Sequence, residues 1–343
     1  MARRKTISDV ARAAGVSVAT VDRVLNGRER VREATARKVY EAASRIGYHA
    51  SGLIAQRLAA QMPAMRFGFI MQKERQAFYQ DFAAAARRAV AAAEGIRGEA
   101  IVEFATSQAP AEFAALMRGM IGRADAVAAT AVAHHEVTAA VEDLKAAGIP
   151  CFSLLNDFAQ GVRQHYIGLN NLKVGRIAAS IITMAVHRPG KIAVFVGGHR
   201  WHGHDLRETG FRSFFREYAP QFQVLDTLVN LETRQLTYEA TLDLLGRHGD
   251  LRGIYSAGGG MEGAIAALRE SREPGEVALV VNEITPESRA ALADRYLTMV
   301  IQTPLDEVCR DAVSFMIAAA QGKLADVTGQ QFLQPRLYIP ESV

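Results

Sequence analysis

Residues 6–26 read TISDVARAAGVSVATVDRVLN, and everything else in the chain is interpreted from this stretch. Thr6 can accept the N–H of Asp9 while the Asp9 carboxylate reaches back, so T-x-x-D opens a helix as a capping box. Val10, Ala13 and Ala14 follow at helical spacing, and Gly15 before Val16 permits a tight turn. Ser17 then caps a second helix over residues 18–25, which buries Val21, Val24 and Leu25 and leaves Val18, Ala19, Asp22 and Arg23 outward. Two short helices in this order have the geometry of a helix-turn-helix, whose second helix enters the DNA major groove by its N-terminal residues.

Length and composition bound the rest. With 343 residues, of which 49% are hydrophobic, the chain suits a small module plus a large or bilobed body. No run of about 18 apolar residues occurs, and MARRK leads into the helix-turn-helix instead of an apolar signal segment, so a soluble cytoplasmic protein with no membrane partner is expected. Cys151 and Cys309 are too few for a disulfide framework and read as packing residues. Residues 1–60 hold 12 Lys/Arg against 5 Asp/Glu, a balance of +7, and the remainder holds 28 against 31, or −3. The positive end therefore coincides with the helix-turn-helix, where Arg3, Arg4, Lys5, Arg28, Arg30 and Arg32 are placed to neutralise phosphates.

The opening stretch resembles the LacI/GalR family of bacterial transcription factors through Thr6, Asp9, Val10, Ala11, Ala14, Gly15, Val16, Ser17, Thr20, Val21, Arg23, Val24 and Asn26. The resemblance implies a homodimer on a pseudo-palindromic double-stranded operator, with Thr6, Ser17, Val18, Ala19, Thr20, Arg23 and Asn26 at the DNA. Val18 and Ala19 occupy the family's two specificity positions; they can touch a thymine methyl but cannot form a bidentate hydrogen bond. Arg23 can, to guanine O6 and N7. Asp22 stands where the family usually has serine, and either orients Arg23 or accepts from a cytosine amino group.

A third helix over residues 34–46, with Val39, Ala42, Ala43 and Ile46 on one face, ends at Gly47. A linker follows to Pro63. In the resembled family this segment becomes helical on operator DNA and wedges a leucine into the minor groove, which points to Leu58. Ala50 and Ser51 stand where the family usually has proline and asparagine.

From Phe67 short apolar runs alternate with helical stretches. FGFIM (67–71), AIVEFA (100–105), AVAATA (126–131) and CFSLL (151–155) form one series; HYIGL (165–169), KIAVFVG, VLDTLV, GIYSA, VALVV and LTMVIQ form a second. Strands spaced by helices predict parallel sheets covered on both faces, and two such α/β lobes enclose a cleft beyond their strand ends. AFYQDFAAAARRA, AGIPCFSLLND, YIGLNNLKVGRIAA, LRETGFRSF and VIQTPLDEV are similar to the sugar-binding periplasmic-type fold that serves this family as effector domain. The resemblance implies a fold of a small all-α head on a bilobed α/β periplasmic-binding-protein-like core. The expected domains are a head at 1–48, a hinge linker at 49–65 and a body at 66–343, with lobe 1 about 66–157 and 303–325 and lobe 2 about 165–296 and 333–343. The three crossings, near 157–165, 296–303 and 325–333, form the hinge that a ligand can bias.

By the same resemblance, Phe78 and Tyr79 cover a sugar face, Arg207 bridges hydroxyls as a fork donor, and Gln302 and either Asn156 or Asp157 supply amide or acidic contacts. Glu283 replaces the usual aspartate, with Asn282 beside it. AGGG at 257–260 stands where the family has an Asn-Asp pair. In HRWHGHD (199–205), His202 or His204 is placed to bond hydroxyls and Trp201 to stack. The loop has no cysteine or spaced carboxylates for a metal, and no metal or cofactor is expected. His134 and His135 follow a strand end and read as surface residues. No GxGxxG follows the first strand and no GxSxG occurs, which argues against an enzyme; the helix-turn-helix argues against a periplasmic solute-binding protein. The resemblance thus implies a transcriptional regulator, most often a repressor, controlled by a sugar, polyol or sugar acid. The tail lacks a leucine heptad, which favours a dimer over a tetramer.

Overall fold

The computed structural model describes residues 4–26, 31–54, 56, 62–325 and 327–343. The chain divides into two units, Met1–Met65 with Ala91–Glu99, and Arg66–Val90 with Ala100–Val343.

In the first unit, helices α1 (Ile7–Ala14), α2 (Val18–Asn26) and α3 (Glu33–Arg45) enclose a small core. The capping box forms as read: the Asp9 N–H donates to Thr6 Oγ1 at 3.3 Å and the Thr6 N–H donates to Asp9 Oδ2 at 2.9 Å. Gly15 takes a left-handed φ of 65°, a conformation that a β-carbon would strain, and this lets the Val16 N–H reach the Ala11 carbonyl at 3.1 Å. Val10, Val21, Val24, Leu25 and Val39 are buried, as the helical spacing required. Tyr48 and Ile54 join that same core, so the head's packing runs several residues into the expected linker. Leu58 lies outside the described residues, as do Arg3, Arg28 and Arg30.

The second unit holds two sheets. The first combines β1 (Ala64–Gln72), β2 (Arg97–Ala105), β3 (Ala126–Ala129), β4 (Cys151–Leu154), β5 (His165–Leu169) and β12 (Gly329–Leu333) in the order β12-β5-β4-β3-β1-β2. The second combines β6 (Lys191–Val196), β7 (Gln223–Val224), β8 (Leu228–Val229), β9 (Leu251–Ser256), β10 (Ala278–Asn282), β11 (Met299–Gln302) and β13 (Arg336–Tyr338), ordered β13-β11-β10-β9-β6-β7 with β8 also on β6. Period-two alternation sends Val194 and Val196 of β6 to one apolar cluster, with Phe211 and Tyr255, and Ala193 and Phe195 to another, with Ile254 and Leu268. Burial on both faces is why these strands read as continuous apolar runs.

Three features depart from expectation. The HYIGL strand, expected to open lobe 2, is β5 of the first sheet, paired parallel with β4 through Phe152 and His165. The reason is local: Asp157 and Arg163 form a buried bidentate ion pair, Nε to Oδ1 at 2.5 Å and Nη2 to Oδ2 at 2.7 Å, which turns the chain back onto its own sheet. The chain consequently passes between sheets after Leu169, after Gln302 and between Leu333 and Arg336. VLDTLV is split into β7 and β8, because Arg212 Nη2 binds the Leu225 carbonyl and Thr227 Oγ1 at the break. Finally, β13 pairs antiparallel with β11, Val300 opposite Tyr338, so the second sheet is mixed.

Candidate functional site

The carboxyl ends of both sheets face a cavity of about 380 Å³, within the range of small-molecule sites. Its lining starts from Gln72 at the end of β1, Thr130 after β3 and Asn156 after β4, and continues through Gly258 after β9, Asn282 and Glu283 at the end of β10 and Thr303 after β11. Phe78, Tyr79, Trp201, His204 and Arg207 complete the expected residues found there.

Each of these side chains has a defined role in the wall. The helix Ala77–Ala91 brings Phe78 edge-on to Tyr79, centroids 5.1 Å apart, and the Tyr79 hydroxyl accepts from Gln72 Nε2. Burial holds the Tyr79 hydroxyl well above its ordinary pKa, so it stays protonated. Arg207 is buried on the helix His202–Tyr218; Nε donates to Asn171 Oδ1 and Nη1 to the Ala257 carbonyl, both at 2.7 Å. Those two bonds fix the guanidinium as a rigid fork beside the cavity. Asn282 Nδ2 donates to the Ser256 carbonyl at 2.8 Å, while Asn282 Oδ1 and Gln72 Oε1 are buried without a partner.

Glu283, at a left-handed φ of 71°, accepts from the Thr303 N–H at 3.0 Å and from Thr303 Oγ1 at 2.6 Å. Burial nevertheless pushes its carboxyl up to about 7, against the lowering effect of those bonds and of Arg207. Burial likewise pushes His204 down to about 4, partly offset by Glu232, so its ring is neutral at pH 7. The Gly197 N–H donates to His204 Nδ1 at 3.1 Å, leaving Nε2 to carry the proton and face Glu232 Oε1 at 3.7 Å. Burial opposes ionisation of Glu232, but His204, the Lys73 ion pair at 2.8 Å and the Gly259 N–H hold it below the ordinary carboxylate range.

Some expected residues do other work. Asp157 is the clasp of the 157–163 turn, also accepting from Ser153 Oγ at 2.8 Å, and does not line the cavity. Gln302 does not line it either, because its strand neighbour Thr303 faces the cavity in its place. His202 sits at a helix start outside the lining, where Gly203 and His204 stand instead. Trp201 borders the cavity, yet its ring is buried in the apolar cluster of Ile70, Val132 and Phe158 and its Nε1 donates to Gln108 Oε1 at 3.2 Å, so it anchors the wall instead of offering an open face. Asn156 is committed at both ends, to the Ala131 carbonyl and the Gly203 N–H. Glu232, Gln72, Thr130 and Thr303 carried no motif. The last three were findable as polar residues at strand carboxyl ends.

In the head, Val18, Ala19 and Arg23 are exposed on α2, and Ser17 Oγ accepts the Thr20 N–H at 3.1 Å and contacts Thr20 Oγ1 at 2.8 Å. Asp22 accepts from Asn26 Nδ2 at 2.7 Å. Thr6 Oγ1 donates to Asp9 within the capping box. Among the described residues, His134, His135 and Glu136 are close enough to gather on one ion, but His134 Nδ1 already accepts the Glu136 N–H as a helix cap. No helix among the described residues is long and apolar enough to cross a membrane.

Residues 6–51 match the family model of bacterial regulatory proteins of the lacI family, and residues 67–324 match that of a periplasmic binding protein domain. HTH-type transcriptional regulator GalS of Salmonella typhimurium is 26% identical over 343 residues, 98% of this chain and 96% of that protein. Catabolite control protein A of Streptococcus mutans is 50% identical over 56 residues, 16% of each chain. Among solved structures, an ABC transporter periplasmic solute binding protein from Actinobacillus succinogenes with bound D-allose superposes with a TM-score of 0.73 at 17% identity, covering 81% of this chain and 98% of that one. A solute binding protein from Burkholderia graminis in complex with D-arabinose gives 0.74 at 18%, covering 80% and 95%. The periplasmic binding protein match spans most of the chain and residues 6–51 add a DNA-binding domain of the lacI type, so this chain belongs to the periplasmic binding protein domain family and is a DNA-binding transcriptional regulator built on that core.

Proposed function

We propose that this regulator is a cytoplasmic homodimer whose operator affinity is set by a small hydroxyl-rich effector of the sugar or polyol kind, bound in the cavity between the two sheets. The observation that carries the reading is the cavity's polar floor: Gln72, Thr130, Asn282, Glu283 and Thr303 line it from the strand carboxyl ends, with the Arg207 fork fixed beside them. A molecule with several hydroxyls satisfies such a floor because each hydroxyl both donates and accepts. The sugars named with the superposable solute-binding proteins agree with this. Each head presents Val18, Ala19 and Arg23 to base edges, with Ser17, Thr20 and Asn26 supporting that face, and two heads read a pseudo-palindromic site as a repressor. The cavity is assigned to binding and not to catalysis.

The test is a thermal-shift screen of the purified protein with sugars, polyols and sugar acids, followed by operator titration with any stabilising compound. A compound that both stabilises the protein and changes operator affinity is the expected result. Stabilisation by none of them would remove the effector half of the proposal.

A further inference from the structure

The glycine loop and its surroundings contain a feature that the effector reading does not use. The Glu232 side chain threads a slot cleared by glycines: a β-carbon at Gly197 would stand 2.4 Å from Glu232 Cγ, and one at Gly259 would stand 3.1 Å from its Cβ. Its carboxylate meets Lys73 Nζ at 2.8 Å and the Gly259 N–H at 3.4 Å. Lys73 follows β1 of the first sheet and Glu232 follows β8 of the second, so this ion pair ties the two lobes beside the cavity. Both partners hold left-handed backbone, Lys73 at φ 49° and Glu232 at φ 55°, with Leu231 before it at 49°. Non-glycine residues in that region are strained, and such strain gathers at functional sites. The wall around the pair is rich in acceptors. Gln72 Oε1 and Asn282 Oδ1 are unpartnered, Glu283 adds a second carboxyl, and Arg207 has already spent Nε and Nη1 on the protein.

We infer that Glu232, positioned by Lys73 from the opposite lobe, is the specificity-determining residue of the cavity, selecting uncharged polyhydroxylated effectors and rejecting their carboxylate counterparts. The inference rests on the effector reading above. Effector hydroxyls donate to the Glu232 carboxylate, whereas an effector carboxylate set against it meets like charge at contact range. Glu232 thereby replaces, from a neighbouring loop, the side chains that the three glycines 258–260 do not carry.

Isothermal titration of the full chain with three matched pairs, D-galactose and D-galacturonate, D-glucose and D-gluconate, D-xylose and D-xylonate, tests it. The wild type is expected to bind the neutral member of at least one pair about tenfold or more tighter than the acid. Glu232→Gln, which keeps the shape and removes the charge, should shrink that ratio several-fold. Glu232→Asp, which keeps the charge on a shorter arm, should weaken binding while keeping the preference. A variant that merely loosened the cavity would weaken both members alike, so the ratio separates selection from folding. Equal or tighter binding of the acid by wild type, or an unchanged ratio in Glu232→Gln, overturns the inference and leaves the effector reading in place. Binding of no member of any pair overturns both.

Discussion

At the residue scale, Glu283 carries the most direct pH prediction. An unfolded chain releases this proton near the ordinary value of 4.5, whereas the folded protein holds it to about 7. Between those values the folded state binds more protons, so its stability is fully present below the ordinary value and is lost as pH rises through about 7. Glu283→Gln should remove this component: chemical denaturation at pH 5 and pH 8 is expected to show a smaller loss across the interval than in wild type, with the variant ahead at pH 8. A variant with the wild-type slope would show that Glu283 does not titrate as described. Arg23, exposed on α2, is the head's best candidate for reading guanine. Arg23→Ala should cost about 1–3 kcal/mol on operator and relax the base preference at one position. Equal losses on operator and on random duplex, measured by fluorescence anisotropy, would reduce Arg23 to a phosphate contact.

At the scale of elements, the contact between helices Asn171–Ala185 and His202–Tyr218 decides where Arg207 sits. The two backbones approach closely: a β-carbon at Gly175 would lie 1.9 Å from the Arg207 carbonyl oxygen, and one at Gly210 would lie 2.0 Å from that of Leu172. No side chain can give way there, because the obstacle is backbone. Gly175→Ala should therefore separate the helices, destabilise the protein by about 1–3 kcal/mol and weaken effector binding through the shifted Arg207 fork. Thermal unfolding with titration calorimetry checks both parts; an alanine variant with unchanged melting temperature would contradict the close approach. These two glycines stand in YIGLNNLKVGRIAA and LRETGFRSF, legible as helices from their periodicity, but nothing in either segment announces that they touch.

For the whole molecule, regulation is a linkage between the cavity and the head. If effector changes operator affinity by some factor, operator must change effector affinity by the same factor, a coupling of about 1–3 kcal/mol in typical cases. Effector titrated into free protein and into the protein–operator complex should differ in affinity by about 5–150-fold. Equal affinities in the two titrations would show that the cavity and the head are not coupled. The chain passes between the sheets three times, after Leu169, after Gln302 and between Leu333 and Arg336, and we propose these passages as the hinge of that element.

What the amino-acid order settled by itself was local and periodic. The capping box at Thr6 and Asp9, the left-handed Gly15 and the buried face of α2 depend on neighbours within a few positions, so motif and spacing suffice for them. The apolar strand runs of the body were legible for the same reason, since burial on both sheet faces leaves a continuous pattern. Tertiary structure alone decided which sheet each strand joined and which polar side chain reached the cavity. HYIGL pairs with β4 because the Asp157–Arg163 clasp turns the chain, an ion pair that claims a residue otherwise read as a ligand. Thr303 replaces Gln302 by one step of strand alternation. Glu232 enters the site only because Lys73, 159 positions earlier, meets it across the lobes. Contacts of that span follow from how two sheets pack, and no local pattern encodes them.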